Sequence, residues 1–399
     1  MIFQLNPGQS AIVDQAVSWF YNSSEQVFQI SGNPGTGKSV VLKEIVNRLS
    51  LSFADIAPMA YTGAAAIVMR MKGFSNAKTI HSWLYEPVEV PLRDENGDII
   101  MDTYLNVPLM RLSFKPRDLR KIKLIVIDEG GSVPMGMRDQ ILKSGAKILV
   151  AGDLDQLPPV ADTPAFLYNG KVHVLSEIMR QAEGSPIVYL SQRAKAGLPI
   201  HTGNYGNVLV ISEDEITDEM IAASPVVLCG KNNTRDRLNT YIRKNIIRRE
   251  GSLPSFGEKL ICRKNNWGIE IGGINLTNGL TGTVTNYPDE TGYDGTCFTV
   301  DFVPDIDRSI LFPRVQVNYE YLISDKEKRD SIRKFGRFSG NLFEFGYAQT
   351  VHLAQGSQWT HGMYFEEYLN PDINNKLNYT AISRFSSMGI YVKQKRKYI

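Results

Sequence analysis

A glycine-rich loop near the start of the chain constrains its fold more than any other feature. An apolar run ends at Ile30, the loop follows at residues 31–39 (SGNPGTGKS), and residues 40–46 repeat apolar side chains with helical spacing. Glycines let successive backbone N–H groups point at phosphate oxygens, and the following helix presents its positive dipole end to them. The order strand, loop, helix therefore predicts an α/β domain that binds nucleotide phosphates. The predicted phosphate-binding residues are Gly32, Asn33, Pro34, Gly35, Thr36, Gly37, Lys38 and Ser39.

An acidic motif completes the predicted hydrolytic site. Lys38 can reach the β- and γ-phosphates, and Ser39 offers a hydroxyl ligand for Mg²⁺. The apolar run 124–127 ends in Asp128 and Glu129. We expect Asp128 to hold Mg²⁺ through its water shell and Glu129 to polarise the attacking water. Together the two motifs predict hydrolysis of ATP or GTP.

Short apolar runs predict the fold class. They occupy residues 56–59, 124–127 and 148–150, and each is closed by small or acidic residues, as buried parallel strands are. Helical segments lie between them, and a second α/β pattern begins near residue 224. Two β-rich segments interrupt these patterns: residues 85–116, which carry an Asn-Gly turn signal, and residues 253–343. We therefore predict two nested α/β domains with one insertion in each.

Charge balance and cysteine content exclude several classes of protein. Lys and Arg number 44 against 42 Asp and Glu, and the resulting net charge of +2 excludes a histone-like polycation but not a local basic groove. Cys229, Cys262 and Cys297 are far apart with no histidine beside them, which excludes a disulfide framework and a zinc knuckle. The sequence also shows no membrane-span run and no signal-type leader, so we expect a cytoplasmic protein without a membrane partner.

The segment after the strand predicted at 148–150 carries a family resemblance. Residues 152–160 (GDLDQLPPV) resemble motif III of superfamily 1 DNA helicases, particularly the branch that contains RecD and the phage Dda helicase. Other segments resemble further motifs of that family, in the same order, along nearly the whole chain. They are residues 5–9 (Q motif), 61–66 (Ia), 78–82 (Ib), 175–181 (IV), 347–357 (V) and 379–384 (VI).

The resemblance implies a nucleotide site that two arginines complete. Gln9 is expected to read adenine, Gln156 to sense the γ-phosphate, and Arg180 and Arg384 to reach that phosphate. Guanidinium groups suit this role because charge must be neutralised in the transition state of phosphoryl transfer. Arg384 belongs to the second α/β domain, so closure of the cleft is expected to complete the site. The implied cofactors are ATP and Mg²⁺, and the implied catalytic residues are Lys38, Glu129, Gln156, Arg180 and Arg384.

The same resemblance implies a track for single-stranded DNA. Hydroxyls, amides and basic groups hold backbone phosphates, and aromatic rings stack on bases. Motifs Ia, Ib and V and their neighbours supply such side chains. The expected DNA contacts are Thr62, Thr79, His81, Trp83, Thr350, His352 and Gln355.

The resemblance also assigns the insertions within an α/β fold of two RecA-like P-loop NTPase domains. The first insertion is expected to be a β-hairpin pin that splits an arriving duplex, and the second an SH3-like β-barrel. The implied domains are 1A (1–84 and 117–183), pin 1B (85–116), 2A (184–252 and 344–399) and barrel 2B (253–343). The candidate tip residues of the pin are Ile99, Ile100, Met101 and Tyr104.

One departure from the family pattern lies behind the acidic motif. Gly130 and Gly131 follow Glu129, where the family carries a bulkier pattern. No charged catalytic group is lost, so ATP hydrolysis is still expected. The glycine pair does change the packing expected behind Glu129.

These motifs favour an ATP-dependent DNA helicase that moves 5′→3′ on single-stranded DNA and separates duplex at the pin, with direction implied wholly by the resemblance. An RNA helicase or nucleoprotein-remodelling ATPase of the same superfamily is a second hypothesis, because backbone contacts discriminate poorly between RNA and DNA. A third is a nucleotide-gated single-strand-binding module that does not unwind. The expected partners are single-stranded, fork or overhang DNA, with single-strand-binding or replication proteins as candidates, and the expected state is a monomer in a bacterial or phage-infected cell.

Overall fold

Two six-stranded sheets divide this computed structural model into two α/β units. Helices cover both faces of each sheet, as the alternation of apolar runs and helical segments predicts. An antiparallel hairpin interrupts the first unit, and a separate antiparallel sheet interrupts the second. The structure describes residues 5–101, 107–159, 162–168, 170–177, 184–272, 274–286, 295–335 and 338–394.

The first unit is built on a parallel sheet. Its strands, with those of the hairpin, are β1 (Val27–Gly32), β2 (Ile56–Ala60), β3 (Lys78–Thr79), β4 (Tyr85–Pro91), β5 (Met110–Pro116), β6 (Leu124–Ile127), β7 (Lys147–Gly152) and β8 (Val172–Leu175). Its α-helices are α1 (Pro7–Asn22), α2 (Lys38–Leu49), α3 (Gly63–Met71), α4 (Ile80–Leu84) and α5 (Arg138–Leu142). The sheet order is β3-β2-β6-β7-β1-β8, and every pairing is parallel.

The central strands of this sheet are buried on both faces, which explains their apolar sequences. The strands predicted at 56–59, 124–127 and 148–150 are confirmed as β2, β6 and the middle of β7. Side chains of α1, α2 and α3 cover one face, and those of α4 and α5 contribute to the cover of the other. The carboxyl ends of β1, β6 and β7 therefore bring the phosphate-binding loop, the acidic motif and motif III to one edge of the sheet.

A two-stranded antiparallel hairpin leaves the first unit between α4 and β6. β4 pairs with β5 along the full length of both strands. Further out, Gly97 has a φ of 91° and its N–H donates to the Asp94 carbonyl at 3.1 Å, so the Asn-Gly step forms a tight turn. Ile99 and Met101 are exposed beyond this turn, whereas Tyr104 lies outside the described residues. The role of the hairpin as a pin stays a prediction.

The second unit contains the remaining strands and helices. The strands are β9 (Gly203–Asn204), β10 (Val208–Ser212), β11 (Val227–Cys229), β12 (Lys259–Cys262), β13 (Asn266–Ile271), β14 (Ile274–Leu276), β15 (Thr281–Val284), β16 (Cys297–Pro304), β17 (Phe312–Asn318), β18 (Phe343–Phe345), β19 (Ala348–Thr350), β20 (Met363–Phe365) and β21 (Gly389–Lys393). The α-helices are α6 (Pro186–Lys195), α7 (Asp218–Ala222), α8 (Asn232–Tyr241), α9 (Tyr319–Ile323), α10 (Lys326–Phe335) and α11 (Pro371–Ile382). The core sheet has the order β19-β11-β20-β21-β10-β9 and is parallel except at β9.

The insertion of the second unit is a five-stranded antiparallel sheet with its own core. Its order is β17-β16-β15-β12-β18, and β13 and β14 form a separate hairpin. The fully buried rings of the core are those of Phe298, Phe302, Phe312 and Phe343. The strand at one edge of this sheet, β18, ends at Phe345. The SH3-like character of the insertion stays a prediction.

A buried carboxylate connects the insertion sheet to the second unit. Glu344 on β18 lies 3.3 Å from the guanidinium of Arg235 on α8 and 3.2 Å from that of Arg263. The guanidinium groups of Arg329 and Arg333 on α10 approach it to 3.8 and 3.9 Å. One carboxylate thus holds together three elements that are distant in sequence. Within the described residues, the structure contains no helix long and apolar enough to cross a membrane.

Candidate nucleotide site and nucleic-acid interface

The loop between β1 and α2 depends on three glycines. Gly35 and Gly37 have φ values of 84° and 81°, in the left-handed region that glycine adopts without penalty. A Cβ on Gly32 would lie 2.4 Å from the Thr36 hydroxyl oxygen. That hydroxyl donates to the Asn33 carbonyl at 2.9 Å and closes the loop. A side chain at any of the three glycines would therefore strain the backbone or displace Thr36.

The first turn of α2 is suited to an anion. Gly37 is the N-cap and provides no side-chain acceptor, and the first turn contains no acidic residue. The Lys38 ammonium donates to the carbonyl groups of Gly32 at 2.6 Å and Asn33 at 3.2 Å. The Lys38 ammonium therefore lies over the phosphate-binding loop, which leads directly into α2. A bound phosphate would offer this ammonium a charged partner in place of two carbonyl dipoles.

The two predicted Mg²⁺ ligands lie on either side of a lysine. The Lys72 ammonium donates to the Ser39 hydroxyl oxygen at 2.8 Å and lies 3.7 Å from Asp128 Oδ2. Hydroxyl and carboxylate oxygens are the hard donors that Mg²⁺ prefers. Because a cationic group already lies between these oxygens, the site fits Mg²⁺ in both charge and donor type. Ser39 and Asp128 are the residues that would hold it.

The predicted catalytic carboxylate has an unusual backbone and a shifted pKa. Glu129 has a φ of 54°, in the left-handed region that residues with a Cβ rarely adopt. Desolvation raises its pKa, Arg384 opposes the rise, and the Asp128 carboxylate adds to it. A raised pKa suits a carboxylate that accepts a proton from water, since it makes the group a stronger base.

The glycine pair behind Glu129 has a steric cause. A Cβ on Gly130 would lie 2.2 Å from Val150 Cγ1, and a Cβ on Gly131 would lie 3.3 Å from the Asp153 carbonyl oxygen. The turn after Glu129 therefore packs directly on β7 and the start of motif III. This close approach explains the departure from the family pattern.

A tyrosine hydroxyl from the second unit joins the phosphate-binding loop to motif III. Tyr379 on α11 donates to the Asp153 carboxylate at 2.6 Å and lies 3.3 Å from Asn33 Oδ1. The Gln156 side chain donates to the same carboxylate at 3.4 Å. Burial, followed by the charge of Asp153, raises the pKa of Tyr379 well above its ordinary value. Tyr379 therefore remains a hydrogen-bond donor at any physiological pH.

Arg384 also lies at the seam between the units. Its guanidinium is almost fully buried and donates to the carbonyl groups of Thr380 and Ser357, both at 3.2 Å. These carbonyls orient the guanidinium without neutralising it, and no described residue forms an ion pair with it. Its charge opposes the rise in the pKa of Glu129. Arg180, the second predicted arginine, lies outside the described residues.

Two lysines at the seam were not predicted. Lys195 on α6 forms an ion pair with Asp155 and lies 3.4 Å from Asn33 Oδ1. Lys376 on α11 donates to the Leu154 carbonyl at 3.1 Å. Asp155 lies in the segment that resembles motif III, and its negative charge was the feature of the sequence that could indicate a basic partner. Lys195 belongs to no such segment, so local sequence could not reveal it.

Gln9 supports the phosphate-binding loop. It forms a capping box with Asn6 at the start of α1, and its amide nitrogen donates to the Thr36 carbonyl at 3.0 Å. The side chain is almost completely buried. The structure thus places Gln9 against the phosphate-binding loop, and its reading of adenine stays a prediction.

Two predicted DNA contacts of the first unit are helix caps. The Thr62 hydroxyl accepts from the Ala65 N–H at 3.2 Å and begins α3. The Thr79 hydroxyl accepts from the Ser82 N–H at 3.3 Å and begins α4. Thr62 is only half-buried, whereas Thr79 is buried, so its hydroxyl orders α4 in this structure.

The next two predicted contacts differ in exposure. His81 is exposed beside the ring of Tyr85, with 6.1 Å between ring centroids, and desolvation lowers its pKa. Trp83 is half-buried, and its indole N–H donates to the Pro58 carbonyl at 2.7 Å. Trp83 therefore anchors α4 to β2, and its stacking on bases stays a prediction.

The predicted contacts of the second unit follow β19. Thr350 is buried, and its hydroxyl accepts from the Leu353 N–H at 3.4 Å. His352 is half-buried, and desolvation lowers its pKa. The Gln355 amide donates to the Leu157 carbonyl at 2.7 Å, across the seam. Gln355 thus connects motif V to motif III, and its contact with DNA stays a prediction.

The motifs of both units that are predicted to contact DNA meet at one surface, together with a turn of the insertion. A Cβ on Gly356 would lie 2.7 Å from Ala65 Cβ and 3.1 Å from the Thr62 hydroxyl oxygen. A Cβ on Gly63 would lie 1.9 Å from the hydroxyl oxygen of Thr277, which follows β14. Motif Ia therefore touches motif V and the insertion at adjacent positions. Thr277 lies in none of the sequence motifs and was not predicted as a residue of this surface.

Two α/β units that share one phosphate-binding loop and one acidic motif, with an arginine of the second unit at their seam, define the class of P-loop proteins that bind nucleotide phosphates. The AAA domain family model matches residues 4–208, which is more than half of the chain. The chain therefore belongs to the AAA domain family, in the RecD and Pif1-like branch of the superfamily 1 helicases.

Known relatives cover the chain unevenly. It is 24% identical to the ATP-dependent RecD2 DNA helicase of Deinococcus radiodurans over 95% of this chain and 48% of that protein. It is 30% identical to the ATP-dependent DNA helicase Pif1 of Psychrobacter sp. over 39% of this chain and 25% of that protein. The Pif1 helicase from Bacteroides in complex with ADP-AlF3 and ssDNA has a TM-score of 0.56, with 16% identity over 98% of this chain and 92% of that chain. That likeness confirms the α/β fold, and the chain spans less than half the length of these two curated relatives.

Proposed function

We propose that this chain hydrolyses ATP to move 5′→3′ along single-stranded DNA and separates duplex DNA at the β4–β5 hairpin. The observation that carries the proposal is the seam at the nucleotide site, where Tyr379 contacts Asp153 and Asn33 of the other unit. A site divided between two units changes when the units move, so nucleotide state and the spacing of the two DNA-facing surfaces are linked. The relatives named as ATP-dependent DNA helicases support the activity.

Each residue of the nucleotide site has a separate role in ATP hydrolysis. Lys38 and the N–H groups of the loop bind the phosphates, and Ser39 and Asp128 hold Mg²⁺, which neutralises phosphate charge when bound. Glu129 orients the attacking water and accepts its proton, a role that its raised pKa favours. Arg384 neutralises the charge that develops on the transferred phosphoryl group. In addition, Gln9 reads adenine and Gln156 and Arg180 respond to the γ-phosphate.

The DNA track follows the surface where motifs Ia, Ib and V meet. Thr62, Thr79 and His81 contact the strand from the first unit, and Thr350 and His352 contact it from the second. Desolvation lowers the pKa of both imidazoles, and the ring N–H groups of both can donate hydrogen bonds to phosphates. Trp83 and Gln355 complete the track. The Pif1 helicase from Bacteroides that shares this fold was solved with ssDNA, which supports a single strand as the ligand.

Strand displacement tests the proposal. A duplex with a 5′ overhang should be unwound in an ATP-dependent reaction, and one with a 3′ overhang should not. Poly(dT) should stimulate ATP hydrolysis more than poly(U). Unwinding only from the 3′ overhang would overturn the polarity, and equal stimulation by both polymers would overturn the preference for DNA.

A loop variant controls the assay. Lys38→Ala removes the ammonium that lies over the loop, so ATP turnover should fall by about 100-fold or more, while binding of a labelled oligo(dT) should change little. Turnover near the wild-type rate in this variant would refute the assigned site. ATP hydrolysis without displacement from either overhang would support a binding module in place of a helicase.

A further inference from the structure

We propose that Lys72 is a positioning residue that occupies the Mg²⁺ position until metal-bound nucleotide enters, and that its displacement is passed through α3 to the DNA-facing residue Thr62. The inference rests on the proposed function and adds a control step to it. Lys72 lies between the segments that resemble motifs Ia and Ib and belongs to neither.

The position of the ammonium carries the first step. It donates to the Ser39 hydroxyl oxygen at 2.8 Å, where α2 begins, and lies 3.7 Å from Asp128 Oδ2, beyond the end of β6. These are the two oxygen groups that would hold Mg²⁺. An ammonium and a metal ion cannot both use the lone pairs of the Ser39 and Asp128 oxygens. Two cations this close together also repel each other. Lys72 and Mg²⁺ therefore exclude each other.

The difference in exposure makes Lys72 the group that leaves. Its side chain is 43% exposed, whereas that of Asp128 is 11% exposed. A lysine ammonium on a flexible four-carbon stem is readily hydrated, and ion pairs with an exposed partner are weak. The ammonium can therefore swing into solvent while both oxygen groups remain in place. Until then it compensates the Asp128 charge and keeps the two oxygens facing one another.

The helix that carries Lys72 also carries a DNA-facing residue. Lys72 is the C-cap of α3, and its N–H donates to the Val68 carbonyl at 3.1 Å. Thr62 is the N-cap of the same nine-residue helix. Ala65, in the first turn, packs against the position of Gly356 in motif V. Displacement of Lys72 therefore releases the C-terminal end of α3. This changes the position of a helix whose N-terminal end contacts the second unit and the proposed DNA track.

Nucleotide binding measured against free Mg²⁺ tests the first step without turnover. Lys72→Met keeps the length of the stem and removes the charge. With a fluorescent ADP as probe, the Mg²⁺ concentration at half-maximal binding should fall by about 2- to 5-fold, which matches the strength of a partly exposed ion pair. Lys72→Arg retains a cation and should behave like the wild type.

Lys43→Met is the matched control. Lys43 lies on α2 with its ammonium next to Gly73, and among the described residues it forms no ion pair with Asp128. If Lys72 acts through its place between the oxygens, this variant should leave the Mg²⁺ midpoint unchanged. An equal shift in both lysine variants, or no shift in Lys72→Met, would overturn the proposal. Melting temperatures close to the wild type verify that all three variants are folded.

Binding of labelled oligo(dT) tests the link to the track. In the wild type, ADP with Mg²⁺ should change the oligo(dT) affinity relative to the nucleotide-free protein. Nucleotide-free Lys72→Met should already bind oligo(dT) with an affinity near that of the protein loaded with ADP and Mg²⁺. The ratio of the loaded to the nucleotide-free oligo(dT) affinity should therefore move towards one. A ratio equal to that of the wild type would refute the transmission. Failure of the wild type to bind ADP or oligo(dT) would instead refute the proposed function.

Discussion

At the residue scale, one neutral hydroxyl connects three functional elements. Tyr379 belongs to motif VI, Asp153 to motif III and Asn33 to the phosphate-binding loop, and the tyrosine lies within hydrogen-bond distance of both other residues. Burial makes the loss of such a donor costly, because the Asp153 oxygen that accepts from Tyr379 would keep, among the described residues, only the longer hydrogen bond from Gln156, at 3.4 Å. The alignment of the units therefore depends on an uncharged hydroxyl that lies between a carboxylate and an amide oxygen.

We expect Tyr379→Phe to slow DNA-stimulated ATP hydrolysis by about 10-fold or more, since a hydrogen bond to a charged group contributes roughly 1.5–3 kcal/mol. Steady-state turnover and nucleotide affinity, measured side by side, check this, and turnover should fall further than affinity. Tyr364→Phe is the matched control, because Tyr364 is equally buried and donates to Asn378 at 2.7 Å within the second unit. The same loss in both variants would show that general packing, not the seam contact, limits turnover.

The sequence predicted the residues whose chemistry is local. The loop glycines, Lys38 and the Asp128–Glu129 pair follow from the needs of phosphate binding at the end of a strand. Tyr379 lies in the segment that resembles motif VI but was not predicted as a site residue, because its partner Asp153 lies 226 residues away in the chain. Trp83 and Gln355 were predicted to contact DNA because of their chemical type, yet both side chains donate hydrogen bonds to protein carbonyl groups. Residue type shows what a group can bind, whereas only the fold shows which partner is nearest.

At the element scale, β18 fastens the insertion to the second unit through Glu344. Four guanidinium groups approach this one carboxylate, so its removal leaves buried like charges facing one another. Glu344→Gln should lower the free energy of unfolding by about 3–5 kcal/mol, as measured by urea denaturation. Glu320→Gln, which breaks an exposed pair with Lys328, should cost about 1 kcal/mol or less.

The effect of Glu344 should depend on pH in a defined direction. Desolvation alone would raise its pKa, but Arg263 and Arg235 overcome this and hold the pKa below its ordinary value of 4.5. The native state therefore binds this proton less readily than the unfolded state does. The stabilisation is complete above pH 4.5 and is lost as the pH falls through the lowered pKa. The wild type and Glu344→Gln should converge in stability on acidification, and a constant difference would contradict the assigned charge.

Elements were predicted where local pattern determines them. Buried runs gave β2, β6 and β7, and the Asn-Gly step gave the turn at Gly97, because apolar continuity and turn chemistry act over a few residues. The five-stranded sheet was predicted as a β-rich stretch, with an SH3-like barrel implied by the family resemblance, but its strand order was not predicted. Its strand order depends on pairings such as that of β12 with β18, which are far apart in the chain.

At the scale of the whole molecule, the two units and the insertion each have a core of their own. Polar contacts cross the seam between the units, including the hydrogen bond of the Leu157 N–H to the Thr380 hydroxyl at 3.0 Å, and the Leu157 side chain packs into the core of the second unit. Such polar interfaces permit movement between units, whereas large apolar interfaces resist it. The order of motifs predicted two units, but no local signal could predict how they meet.

Calorimetry should show this organisation. Without nucleotide, we expect at least two unfolding transitions. A nonhydrolysable ATP analogue with Mg²⁺ at about 100 times its dissociation constant should stabilise the liganded state by about 2.7 kcal/mol and bring the transitions together, because the ligand bridges both units. A single transition in the absence of ligand would contradict independent cores.

The contact between Asn33 and Tyr379 spans 346 residues of chain. The first unit, whose strands β1–β8 are contiguous, can fold on the ribosome while its partner is still being synthesised. At that stage it has the loop for phosphates but neither Tyr379 nor Arg384. If the proposed function holds, a nascent chain can bind a nucleotide before it can hydrolyse one, and hydrolysis begins only when translation has passed α11.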